Sequence, residues 1–150
     1  MYTDMYGKQR MKINLHLHTT DSDGYRTPEE AAAIYRAAGY DMVAITDHRQ
    51  YHESGNIGGL RILGGGEYNT PGIDGARGVY HILALGCTQP PQPAMEQGPQ
   101  AILNEIHRCG GLAVLAHPAW SLNTVDRVEQ LTGVDATEIY NTVSDAHESS

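Results

Sequence analysis

Short apolar runs alternate along this chain with stretches in which apolar residues recur at helical spacing. Met11 to Leu17 alternates apolar and polar positions and predicts a first strand. Thr27-Pro28-Glu29-Glu30 then offers an N-cap, a proline for the first helical position and acids for the first turn. The predicted helix runs on through AAAIYRAAG to Gly39, with Ala31, Ile34, Tyr35 and Ala38 expected on its buried stripe. Met42 to Thr46 predicts a second strand, ending in Asp47-His48, and Leu60 to Leu63 a third that extends towards Glu67. Val79 to Leu85 predicts a fourth. The stretch between Glu67 and His81 is short, glycine-rich and without helical pattern, too little for a parallel crossover, so this strand is expected to return antiparallel to the third. After the Pro/Gln-rich loop of residues 88 to 100, a helix is predicted over Ala101 to Cys109, closed by Gly110-Gly111. A strand over Leu112 to Leu115 leads into Ala116-His117-Pro118, followed by a short helix near Val125 to Leu131 and a last strand over Ala136 to Tyr140.

Strands that alternate with helices predict an α/β fold with a largely parallel sheet. The runs MVAIT and LAVLA predict strands buried on both faces. A length of 150 residues suits one domain around one core. Residues 1–10 read as an irregular polar extension, and residues 11–150 as the domain.

Charge narrows the function classes. The net charge of −8 repels phosphate backbones, and the chain shows no basic stripe, so nucleic acid is not an expected partner. Cys87 and Cys109 stand outside any Cys-x-x-Cys pair and read as free thiols. The sequence shows no secretory signal, and its apolar runs fall short of the roughly 20 residues that a membrane helix needs. A soluble, cytoplasmic protein with no membrane partner is expected. Eight histidines, 17 glycines and no phenylalanine make the chain poor in aromatic core and rich in metal-capable side chains.

His16, His18, His48, Glu67 and His117 all fall at or just beyond the carboxyl end of a predicted strand, the edge where α/β folds build their sites. His81 joins that edge if its strand runs antiparallel. His16 and His18 are two apart on a strand and point to one face, so both can reach one ion. Asp23, in Asp21-Ser22-Asp23-Gly24, adds an oxygen ligand. Glu67 follows three glycines that permit close backbone approach, and its carboxylate can bridge two cations. His52 and His107 lack this placement and receive no site role. Asp47 can orient ligands or simply end its strand with a hydrogen bond. Trp120 and Tyr140 are expected in the core or a pocket wall. Arg26, Arg49, Arg61 and Arg77 are candidates to hold a phosphate, Arg26 and Arg49 foremost.

With these residues in place, the segments HLHTTDSDG, AITDH, GGEYNT, HILALG and AHPAW, in that order, resemble the polymerase-and-histidinol-phosphatase (PHP) domain family over roughly residues 11 to 141. The resemblance implies a distorted, TIM-like βα barrel of seven strands and a metal-dependent phosphoesterase. It implies up to three divalent ions of zinc, manganese or iron. His16 and His18 would hold the first, with Glu67 bridging to another; Asp23 and His48 would hold the second; Glu67, His81 and His117 would hold the third. Glu67, Asp23 and His48 are expected to carry the catalysis, with a small phosphate ester as substrate. A 3′–5′ exonuclease module attached to a polymerase and a non-catalytic metal-binding fragment are the alternatives. The family closes its site with an Asp-x-His, for which Asp145 and His147 are the candidates. Because a βα barrel commonly needs about 200 residues or more, the chain is expected to lack a C-terminal part of the barrel.

Overall fold

The computed structural model describes residues 1–71 and 79–142. Two compact units divide at Gly66, where a single core is expected from chain length.

Residues 1–10 are not irregular. β1 (Tyr2–Thr3) pairs antiparallel with β2 (Gln9–Arg10). Asp4 makes the hairpin: its Oδ1 accepts the backbone N–H of both Tyr6 and Lys8 at 2.9 Å, a local turn bond open to short acidic side chains.

The rest of the first unit is a sheet in the order β3-β4-β6-β5. β3 (Ile13–Asn14), β4 (Met42–Ala44) and β6 (Leu60–Leu63) run parallel, and β5 (Gly55–Ile57), an element with no sequence signal, pairs antiparallel with β6. β3 is much shorter than its apolar alternation predicts. Asn14 takes over backbone bonding there, accepting from the His16 N–H and donating to the His16 carbonyl, so the chain leaves the ladder early. Helix α1 (Pro28–Ala37) starts as predicted, with Thr27 and Glu30 forming a reciprocal capping box. Its buried stripe agrees with expectation at Ala31 and Tyr35 and differs at Ile34 and Ala38. Ala31 and Ala32 face inward with Tyr35 beside them, while Ile34 is 54% exposed and Ala38 is exposed too. Two alanines allow close approach to β5 and β6, and that contact rotates the larger Ile34 outward. Val43, Ile45, Leu60 and Ile62 complete the core, with Leu17, Tyr40 and Ile57 packed against it.

In the second unit the sheet order is β10-β9-β8-β7. β7 (Gly65–Asn69) lies beside β8 (His81–Leu85), and Thr70, just past β7, donates to the Tyr80 carbonyl, just before β8. The end of one strand against the start of the next is the predicted antiparallel return. β9 (Leu112–Leu115) pairs antiparallel with β8 and parallel with β10 (Ala136–Thr137). Helix α2 (Pro99–Arg108) packs on β8 and β9 and buries Ile102, Leu103 and Ile106, each contributing roughly 1.5–3 kcal/mol. A short helix α3 (Val125–Val128) precedes β10. Burial on both faces holds for β4, where Val43 and Ala44 are both buried, but not for β9, where Leu112 is 59% exposed and Ala113 and Leu115 are buried.

The α/β class is as expected. The described strands form two four-stranded sheets and a two-stranded hairpin, not one seven-stranded ladder. No helix among the described residues is long and apolar enough to cross a membrane.

Candidate metal centres

In the first unit, β3 and β4 are parallel neighbours, so the loops that follow them leave the sheet at one edge. The first carries His16, His18 and Asp23; the second carries His48. Gly24 lets the first loop close: a Cβ there would stand 2.4 Å from the His18 carbonyl oxygen, while the Gly24 N–H donates to Thr19 at 2.8 Å. The donor atoms then converge. His16 Nε2 and His18 Nε2 are 3.0 Å apart, and His18 Nδ1 lies 2.8 Å from Asp23 Oδ1. His48 Nε2 lies 3.5 Å from Asp23 Oδ2, and one donor atom each from His18, Asp23 and His48 fall within 4.8 Å of one another. Partial burial pushes the Asp23 carboxyl up, but His18, His48 and the Ser22 hydroxyl together hold it below its ordinary value.

Beneath this cluster sits Asp47, fully buried. Its carboxylate accepts from the Thr19 N–H (2.7 Å), the Thr19 hydroxyl (2.6 Å), the Ser22 hydroxyl (2.6 Å) and His52 Nε2 (2.7 Å). Burial alone would raise this carboxyl; the bonds from Ser22, Thr19 and His52 outweigh it and hold the group ionised below the ordinary range. Asp47 thereby ties the loop bearing Asp23 to the end of β4. His52 belongs to this network although its position gives no hint of it: β5 and the bridge between His52 and Gly65 bring it back to Asp47. Asp21 reaches the same point, 3.9 Å from His52 Nε2.

The second unit builds its set at one edge as well. His81 opens β8 and His117 follows β9, antiparallel to it; the Ala116 N–H donates to the His81 carbonyl at 2.9 Å. One oxygen of the buried Glu67 faces both rings: Oε1 is 2.6 Å from His81 Nδ1 and 3.5 Å from His117 Nε2. Ser121 Oγ, 2.9 Å from His117 Nδ1, fixes the ring so that Nε2 points to Glu67. His117 adopts φ +26°, uncommon for a residue with a Cβ, and its N–H is held by Glu138 Oε2 at 2.9 Å. Asn141 donates to the same carboxylate. Glu138 is a residue that sequence reasoning missed. A last strand extended to Tyr140 places it mid-strand, whereas β10 ends at Thr137 and leaves Glu138 at the edge, where the placement rule applied to the other residues would have found it.

The three glycines before Glu67 approach protein. Cβ atoms on Gly65 and Gly66 would lie 2.8 Å from the Ile45 carbonyl oxygen and 2.6 Å from that of Gln50. Arg26 and Arg49 are exposed, Arg26 accepting from the Thr20 N–H and Arg49 following His48 at φ +59°. Arg61 stands opposite Met42 at the start of β4 and acts on Asp41, the far end of the strand from His48. His107 pairs with Asp135 at 2.9 Å. Trp120 and Tyr140 are not core, being 52% and 66% exposed. Arg77, Asp145 and His147 lie outside the described residues.

No protein-family model and no curated protein matches the sequence. Solved structures do. A candidate metal-dependent phosphoesterase from Bifidobacterium adolescentis superposes with TM-score 0.64 at 16% identity, over 88% of this chain and 78% of its own. A two-domain protein from Bacteroides vulgatus that contains a predicted PHP-like metal-dependent phosphoesterase gives 0.56 at 18% identity, over 91% of this chain and 40% of its own. An amidohydrolase from Chromobacterium violaceum, with bound sulfate and no metal, gives 0.55 at 18% identity, over 72% of this chain and 67% of its own. The mixed α/β fold of this chain is therefore one that it shares with PHP-like metal-dependent phosphoesterases.

Proposed function

We propose that the chain is a metal-dependent hydrolase of small phosphate esters. The observation that carries this reading is the donor chemistry: each unit gathers imidazoles around a carboxylate at one sheet edge, and in the second unit that carboxylate, Glu67, is wholly buried. A buried carboxylate needs a cationic partner, and two imidazole nitrogens beside one oxygen form a donor set that suits zinc, manganese or iron. His16, His18, Asp23 and His48 would hold cations in the first unit, and Glu67, His81 and His117 in the second. A divalent cation supplies Lewis acidity, lowering the pKa of water towards neutrality and offsetting phosphoryl charge.

The chain's own residues set the rest. Asp47 holds the Asp23 loop through Thr19 and Ser22. Ser121 holds the His117 ring with Nε2 directed at Glu67. Arg26 and Arg49 are the cations proposed to bind phosphate oxygens. A net charge of −8 favours a compact monoester over a long polyanion.

Purified protein should retain transition metal by elemental analysis and hydrolyse 4-nitrophenyl phosphate, and His16→Ala with His18→Ala should abolish most of that activity. Full activity in a metal-free preparation, or hydrolysis of an anilide in place of the phosphate ester, would overturn the reading.

A further inference from the structure

Trp120 is the one tryptophan of the sequence, and half of its surface is open. Its ring centroid stands 5.2 Å from that of His117 at 84° and 6.2 Å from that of His81 at 77°. A tryptophan serving only as packing would be covered. This one lies against the two imidazoles that face Glu67 while exposing a large apolar, π-rich surface beside them.

The turn that presents it is held from several sides. His117 and Leu122 bracket it with φ +26° and +58°, conformations that cost energy in residues with a Cβ. Ser121, buried, donates its N–H to the His117 carbonyl at 3.0 Å, bonds the His117 ring through Oγ, and accepts from the Val79 N–H at 3.2 Å. The Asn123 N–H closes the turn on the Pro118 carbonyl at 2.9 Å. The same bonds that aim the His117 ring therefore fix where the indole stands. Aromatic surfaces in such positions bind planar groups by stacking, which tolerates many ring types because every ring has a π face.

We propose that Trp120 is the stacking surface for the leaving group, and that the substrate class is phosphate esters whose alcohol carries a planar π system, aryl or nucleobase. The inference rests on the phosphoesterase reading for its reaction and on Trp120 for its selectivity.

Two measurements on the full chain, loaded with Zn²⁺ or Mn²⁺, test it. The first is hydrolysis of 4-nitrophenyl phosphate, a nucleoside monophosphate and glycerol phosphate by wild type, Trp120→Ala and Trp120→Phe. Comparing each variant with wild type on the same substrate cancels differences in leaving-group reactivity. The loss in kcat/KM on Trp120→Ala should be about tenfold greater for a planar substrate than for glycerol phosphate, carried by KM, with Trp120→Phe recovering most of it. A loss on 4-nitrophenyl phosphate alone selects aryl esters, and a loss on the nucleotide alone selects nucleobases; equal losses on all three, or none, overturn the proposal. The second is indole fluorescence, which here reports Trp120 alone. Phenylphosphonate should quench it at lower concentration than methylphosphonate. If wild type hydrolyses none of the esters, the phosphoesterase reading fails, and the fluorescence comparison still decides the stacking proposal: equal response to the two phosphonates overturns it.

Discussion

The donor cluster of the first unit is open and that of the second is closed. Asp23 keeps 66% of its side chain exposed between His18 and His48, whereas Glu67 is covered between His81 and His117. The two sets use the same chemistry, imidazole and carboxylate at a sheet edge, and differ in what holds it. In the first, the buried charge stands one layer below the candidate ligands, in Asp47, and the loop that bears Asp23 hangs from it by hydroxyl and amide bonds. In the second, the buried charge is the candidate ligand itself, Glu67. A closed carboxylate loses more when its partner is lost, because water cannot replace it. An open one exchanges its partners with solvent at small cost. On the proposed reading the second set would retain a cation and the first would trade one.

Glu67→Gln is the sharpest way to break that contrast. Loss of a partner that merely orients a metal ligand costs 10–100-fold in affinity or activity, and removing the carboxylate itself should exceed about 100-fold in both. Asp23→Asn should cost less, because solvent reaches its site. Zinc affinity by competition with a chromophoric chelator, together with 4-nitrophenyl phosphate turnover, reads both variants; equal losses would abolish the distinction.

Asp47→Ala should act on stability more than on chemistry. It strands the Thr19 amide and two hydroxyls below the surface, and buried groups left unbonded cost about 1–3 kcal/mol each, so urea unfolding should show a loss of about 3 kcal/mol or more. The pH dependence follows with its sign. The folded-state carboxyl lies below its ordinary value, so its contribution is present above the ordinary carboxylate range and declines as pH falls through the depressed value. Wild type should therefore lose stability in acid more steeply than Asp47→Asn; parallel acid profiles would place the buried charge elsewhere.

The same contrast explains what could be read from the sequence. Strand ends are legible because apolar runs are local, so the strand-end positions of His48, His81 and His117 follow from pattern alone, as do the Thr27 N-cap and the antiparallel return of β8. Asp47 is ambiguous in one dimension, since a strand-end aspartate looks the same whether it bonds one donor or four. His52 was passed over because β5, which has no apolar signature, returns it to Asp47. Glu138 is hidden by overrunning β10 by three residues, and in α1, where Ala31 and Tyr35 lie inward as expected, close approach to the sheet puts Ala32 inward in place of Ile34 and Ala38. Each miss is a contact made at long range, where periodicity carries no information.

Gly24→Ala should affect only the open cluster. Its Cβ would fall 2.4 Å from the His18 carbonyl oxygen, a backbone atom that cannot turn aside, so the loop must shift at a cost of about 1–3 kcal/mol. Asp23 adjoins it, so zinc affinity of the first set should fall while the indole fluorescence of Trp120, which reports the second, stays as in wild type. A matching fluorescence change would mean that the two sets respond together.

Thr27→Ala should give the smallest effect and calibrates the others. Thr27 accepts from the Glu30 N–H at 3.2 Å, and the Glu30 carboxylate accepts from the Thr27 N–H at 3.2 Å, so alanine removes half of the capping box and costs about 1 kcal/mol. The helix it starts packs on β5 and β6 and carries none of the candidate ligands. Thermal unfolding should therefore begin a few degrees lower, with zinc affinity and turnover of the surviving folded protein unaltered. If this substitution instead weakens metal binding as much as Gly24→Ala does, the open cluster is limited by the stability of the first unit as a whole, not by the loop that Gly24 and Asp47 hold.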